Sequence, residues 1–154
     1  MSAVLFTGFL FAYYGKDGQY YFTPQEVEAA RYLDSTAPPN SLLIEGSRNY
    51  PAQFLNYEDF TYVPIEREPP DSWERVVDDP ATVLARWLDN DKYAATYLLI
   101  TRSQKAEVAQ LNVLPRGSLD KIEQALLNSP KFRVIYRNED AIIFALAQVI
   151  GGTP

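Results

Sequence analysis

Short apolar runs alternate with amphipathic segments along this chain, and that alternation limits the fold more than any other feature does. The first amphipathic segment is the clearest. Thr23 suits an N-cap, Pro24 the first helical position, and Glu26 completes a capping box. Val27, Ala29, Ala30 and Leu33 then share one face, which predicts a helix from Pro24 to about Asp34. STAPPN ends it, and SLLIEG at 41–46 reads as a short buried strand. FTYVPI at 60–65 is a second strand, in which Pro64 marks an edge or a strand end. A polar stretch follows, with a helical turn expected around Trp73 to Val77.

Asp79 then caps and Pro80 opens a second amphipathic helix, with Val83, Leu84, Trp87 and Leu88 inward. YAATYLLIT at 93–101 is the most hydrophobic interior run and is expected to be the central strand. Ser103 is read as the cap of the next helix and Ser118 as the cap of another, which Pro130 stops. Two strand-like runs close the chain around RNED at 137–140, where Asn138 tolerates a positive φ, so a hairpin is expected. The order predicts an α/β fold: a three-layer Rossmann-like sandwich, its sheet mainly parallel and closed by a C-terminal antiparallel hairpin. One α/β domain is expected over 22–150, with a loose tail at 151–154.

Several function classes fall away on composition. The net charge of −6 and the lack of any basic run argue against nucleic acid as a partner. Ten carboxylates between Glu58 and Asp91 face only Arg67, Arg75 and Arg86, so one surface should be negative. Without cysteine there is no disulfide, thiolate nucleophile or sulfur metal site. Without histidine no Ser-His-Asp or Cys-His machine can be assembled. Carboxylate chemistry and a Ser-Lys pair stay open. No G-x-G-x-x-G and no phosphate-binding loop follows any strand, so no cofactor is expected. Asp78–Asp79 and Asp89/Asp91 are explained by helix ends, and no metal site is expected.

Residues 3–14 are almost unbroken apolar and aromatic. Twelve residues reach about 18 Å as a helix, short of the roughly 20 residues that cross a bilayer. A buried strand, a core helix and the last turns of a membrane helix all remain open readings.

Ligands of open α/β sheets sit at the carboxyl ends of the parallel strands. That rule selects EGSRNYP after the first strand and TRSQ after the central one. A shared crevice of Arg48, Asn49, Tyr50, Arg102, Ser103 and Gln104 would suit a sugar or a phosphate, the helix N-terminus at Ser103 favouring an anion. Ser103 as a simple cap, and Arg48 paired with Glu45 or Glu58, are the structural alternatives. Tyrosines 50, 57 and 62 and Trp73 fall in or beside loops, where their faces would stack on sugars or fill a core or interface.

Four stretches in order carry a resemblance: the aromatic start, T-P-x-E-V-x-A-A-x-Y-L from Thr23, T-R-S-Q from Thr101, and S-P-K-F-x-x-x-Y-x-N-x-D-A-x-I-F from Ser129. Together they resemble the tail of bacterial polytopic membrane glycosyltransferases of the GT-C class, the mannosyltransferase-like and arabinofuranosyltransferase-like proteins. The likeness runs from about Ala3 to Leu146. It implies a soluble extracytoplasmic domain at the cell membrane, following a last transmembrane helix whose end and exit linker would be residues 1–21. It also implies an enzyme that takes sugar from a polyprenyl-phosphate donor with acidic residues in membrane loops. No residue here matches those loops, so no catalytic residue carries over. The expected role is accessory: assisting acceptor binding or bracing the membrane part. Expected partners are the membrane portion of the same polypeptide, a glycan or lipid-linked sugar, and a second copy through the apolar segment. A free-standing extracellular glycan- or peptide-binding module is the alternative, and a small carboxylate-dependent α/β enzyme a distant third.

Overall fold

The computed structural model describes residues 21–51 and 57–147. The apolar start at 1–20 and the tail at 148–154 lie outside the described residues. The elements in order are α1 (Pro24–Thr36), β1 (Ser41–Glu45), a 3₁₀ turn (Tyr57–Asp59), β2 (Phe60–Pro64), a second 3₁₀ turn (Ile65–Arg67), α2 (Pro70–Asp78) and α3 (Pro80–Leu88). They continue with β3 (Ala95–Thr101), α4 (Arg102–Leu111), α5 (Ser118–Leu127), β4 (Phe132–Arg137) and β5 (Ala141–Leu146). The five strands form one mixed sheet in the order β2-β1-β3-β5-β4. β1 pairs parallel with both β2 and β3, whereas β5 pairs antiparallel with both β3 and β4. The fold is therefore α/β, and β3 is central as its apolar run predicts.

Side-chain alternation along the strands divides the core in two. Leu42, Ile44, Leu98, Ile100, Ile142 and Phe144 pack with residues of α2, α3, α4 and α5. Leu43, Leu99, Ala141 and Ile143 pack on the opposite face with Ala29 and Leu33 of α1. Among the described residues, α1 is the one helix on this second face. The remainder of it is edged by tyrosines, including Tyr32, Tyr50, Tyr62 and Tyr97.

Local signals explain most boundaries. α1 starts on the predicted capping box, with Thr23 and Glu26 exchanging side-chain and backbone bonds. It ends at Thr36 because Ala37, which precedes Pro38, takes extended backbone angles. Pro64 closes β2 at the sheet edge, where a missing N–H is tolerated. The turn expected near Trp73 is a nine-residue helix, and Asp79 ends it and caps α3 through Thr82.

Three expectations are corrected. Thr101, not Ser103, caps α4, because T-x-x-Q closes a capping box between Thr101 and Gln104. Gly117, not Ser118, precedes α5, at φ 75° where a side chain would be strained. Asn138 has no positive φ: among the described non-glycine residues only Asn40 and Asn112 do. Asn138 instead turns the chain by accepting the N–H groups of Asp140 and Ala141 on its Oδ1.

Candidate functional site

The carboxyl ends of β1 and β3 lie side by side, since the two strands pair in register. The segments that leave them are tied together. Asn49 Nδ2 donates to the Ser103 carbonyl at 3.2 Å, and Gln104 Nε2 to the Ser47 carbonyl at 3.0 Å. Ser103 and Gln104 are wholly buried, with Ser103 Oγ 3.1 Å from Thr101 Oγ1. They shape this corner but present nothing to a ligand.

The anion expected at the start of α4 belongs to the protein itself. Glu26, fully buried, accepts the Ser103 N–H on Oε1 at 2.6 Å and the Thr23 N–H on Oε2 at 2.9 Å. One carboxylate thereby caps α1 and seals the N-terminus of α4, satisfying N–H groups that helices leave unpaired. Arg102 lies beside it, with Nη2 3.6 Å from Glu26 Oε2, Nε 4.0 Å from Asp140, and Nη2 donating to the Tyr21 carbonyl at 2.9 Å.

The two arginines of the expected crevice diverge. Arg102 lines a cleft of about 180 Å³ with Lys105, Glu123, Arg137 and Asp140. There Lys105 is already held by Asp120 at 2.8 Å and Glu123 at 2.6 Å. Arg48 lines a different cleft of about 310 Å³ with Glu66, Arg67 and Glu107. Its partner is neither Glu45 nor Glu58 but Glu107 of α4, at 3.9 Å. Glu107 also accepts the Ser47 hydroxyl. The expected single crevice is thus divided by the Ser47–Gln104 and Asn49–Ser103 contacts.

Tyr50, the remaining predicted residue, belongs to an aromatic group. Its ring centroid is 5.8 Å from that of Tyr62, which stacks on Tyr57 at 4.4 Å with an interplanar angle of 14°. The Phe60 ring centroid lies 5.9 Å from that of Tyr62. Burial raises the phenols of Tyr50 and Tyr62 above the ordinary tyrosine range, and the carboxylates of Glu45 and Asp34 add to the effect.

Glu45 entered the sequence reading as part of EGSRNYP and as a possible partner of Arg48, but not as one of the six crevice residues. It ends β1 with 3% of its surface exposed, on the same side of the strand as Leu43. Its carboxyl is pushed up to about 8, first by burial and then by the charges of Glu66 and Glu107. Such an acid is mostly neutral near pH 7 and can donate a proton as well as accept one. Glu66 is also raised, by burial above all, although the Arg48 N–H bonded to it works the other way. The one available signal was a charged residue ending an apolar run. Among the described residues no three potential ligands converge as a metal site would need.

Compared with known families, with curated proteins and with solved structures, the chain matches none.

Proposed function

We propose that this chain is the non-catalytic extracytoplasmic domain of a polyprenyl-phosphate-dependent membrane glycosyltransferase, a Rossmann-like three-layer sandwich that assists acceptor binding or braces the membrane part. What supports the reading is that the separate motifs of the resemblance meet at one point. Glu26 of the T-P-x-E segment bonds to Ser103 and pairs with Arg102 of T-R-S-Q. Arg102 in turn pairs with Asp140 of the closing motif, and Asn138 of that motif donates to the Gln25 carbonyl of α1 at 2.8 Å. Motifs far apart in sequence make up a single structural knot, which gives their order a physical basis.

The knot also holds Tyr21, the first described residue, at the carboxyl edge of the sheet. A membrane helix followed by an exit linker that ends at Tyr21 would bring the chain out beside this edge. A lipid-linked sugar and its acceptor react at the bilayer surface. Among the described residues no helix is long and apolar enough to cross a membrane.

The test is an antibody raised against this chain, applied to fractionated source cells. A band much larger than 17.5 kDa in the membrane fraction is the expected result, followed by sugar transfer assayed on the whole protein. A soluble band near 17.5 kDa would overturn the reading and leave the free-standing binding module.

A further inference from the structure

A further cleft, of about 340 Å³, lies beside the edge strand β2 on the sheet face that packs α2 to α5. Its floor is apolar. Leu42 and Ile44 stand on one face of β1, and Val63 of β2 is the register partner of Ile44. Trp87 near the end of α3 and Tyr93 before β3 supply half-buried aromatic walls. Glu68, Arg86 and Asn90 complete the lining with a carboxylate, a guanidinium and an amide. Sites for small molecules span roughly 300–1,000 Å³ and combine an apolar lining with a few polar groups, as this cleft does.

Those polar groups are open. Among the described residues, the Glu68 carboxylate, the Arg86 guanidinium, the Trp87 indole N–H and the Tyr93 hydroxyl have no hydrogen-bond or ion-pair partner, and none is sealed from solvent. Arg86 also borders a neighbouring cleft. Asn90 accepts the Lys92 N–H on Oδ1 at 3.2 Å, which leaves its Nδ2 to donate. The turn that carries Asn90 and Tyr93 is nonetheless held in place. Asn40 donates from Nδ2 to the Lys92 carbonyl at 3.1 Å, and its own carbonyl accepts the Ala94 N–H at 2.9 Å. Donors and acceptors thus stand ready around an apolar floor, so little ordering is left for a ligand to drive.

The ligand follows from this chemistry. Glu68 and Arg86 carry opposite charges, so the cleft favours a neutral molecule over an ion. Asp89 and Asp91 flank Asn90 in sequence and leave no cationic surplus for a phosphate. The ligand must offer donors and acceptors at its edge and an apolar face to the rings. A pyranose has that form: C–H groups cover its faces, and hydroxyls ring its edge. We propose that this cleft binds one pyranose unit of a glycan, its C–H face against Trp87 and Tyr93 and its hydroxyls on Glu68, Arg86 and Asn90. The site deepens the acceptor-assisting role above, and rests on that reading for taking a glycan as the source of the sugar.

The probes are the methyl α-pyranosides of mannose, glucose and galactose, titrated separately into the nitrogen-15-labelled chain. The Trp87 indole N–H resonance reads binding and is assigned by its loss in W87F. Trp73, which does not line the cleft, is the internal reference. The expected result is a saturable Trp87 shift for at least one pyranoside, with Kd on the order of 1–10 mM, ordinary for about thirteen heavy atoms. E68A and R86A should fold, since neither side chain is held by another. Each should weaken binding by about tenfold, the worth of one charge-assisted hydrogen bond. Glycerol has hydroxyls without an apolar face and cyclohexanol a ring with one hydroxyl, so neither should match the pyranosides. No Trp87 shift with any of the three sugars, an equal response to glycerol or cyclohexanol, tighter binding of adenosine, or unchanged affinity in both E68A and R86A would each overturn the proposal. The two readings fail separately. Sugar binding by a chain found soluble at 17.5 kDa would keep this site and remove the membrane role, and a membrane band without a Trp87 response would do the reverse.

Discussion

Replacing Glu26 with alanine removes one side chain but opens three structural gaps at once. Glu26 is wholly buried, and its two oxygens accept the N–H groups of Thr23, three residues before it, and of Ser103, 77 residues after it. The Ser103 N–H lies at a fully buried position and has no water to turn to once the carboxylate is gone. Orphaning a buried donor costs about 1–3 kcal/mol, and loss of a capping interaction typically about 1 kcal/mol. Arg102 would lose its closest carboxylate, but its side chain is 38% exposed, so water screens it and little is added. The sum is about 2–4 kcal/mol, a large share of the 5–15 kcal/mol that usually holds a domain together. At about 2–4 °C per kcal/mol for a chain of this size, the melting temperature should fall by roughly 4–16 °C. Urea unfolding followed by far-UV circular dichroism measures the loss directly. E26Q keeps one acceptor and should lose about half as much. Hydrogen exchange at the Ser103 amide should accelerate in E26A beyond what the global loss explains. A loss below about 1 kcal/mol, with Ser103 still protected, would refute the assignment of Glu26 as the shared cap.

Two further outcomes follow from the same corner. The Glu45 carboxyl sits near 8 in the folded state, against an ordinary value of 4.5 when unfolded. Between those values the folded chain holds a proton that the unfolded chain has released, so this group's contribution is complete below about 4.5, declines as pH rises, and is gone above about 8. E45Q has no such group, and its stability relative to the parent should grow by as much as a few kcal/mol between about pH 5 and pH 9. Parallel urea curves across that range would show it, and a constant difference would refute it. Gly46→Ala should also destabilise. Its methyl would lie 2.9 and 3.1 Å from the two δ-carbons of buried Leu119 and 3.2 Å from Gln104 Oε1, the atom that holds the Thr101 N–H. Overpacking of this kind costs about 1–3 kcal/mol, and thermal melting would expose it; an unchanged melting temperature would show that the corner has slack.

The particular hits and misses share one physical pattern. Thr23, Pro24 and Glu26 announce α1 because a capping box is complete within four residues, and Asp79–Pro80 announces α3 because Asp79 caps it through the Thr82 N–H three residues on. The start of α4 was legible too, since Thr101 and Gln104 stand at capping-box spacing, but the nearer serine drew the assignment away. Gly117 was missed because its φ of 75° is a property of the turn between α4 and α5, with no side chain to signal it. Of the six expected crevice residues, Ser103 and Gln104 turned out to be internal fasteners, and Arg48 and Arg102 were sent into separate clefts.

What the sequence determined by itself is therefore local: where helices begin, which runs are apolar enough to be strands, that β3 is central, and that histidine and cysteine chemistry is absent. Those features depend on neighbours a few residues away, whose geometry the backbone fixes. Only the tertiary structure decided that the second oxygen of Glu26 would cap a helix 77 residues downstream, and that Glu45 would end its strand almost wholly buried. Sequence spacing encodes neither fact, because a carboxylate's partners and its charge state depend on how far water has been excluded around it. That exclusion exists only once β1, β2 and β3 lie side by side.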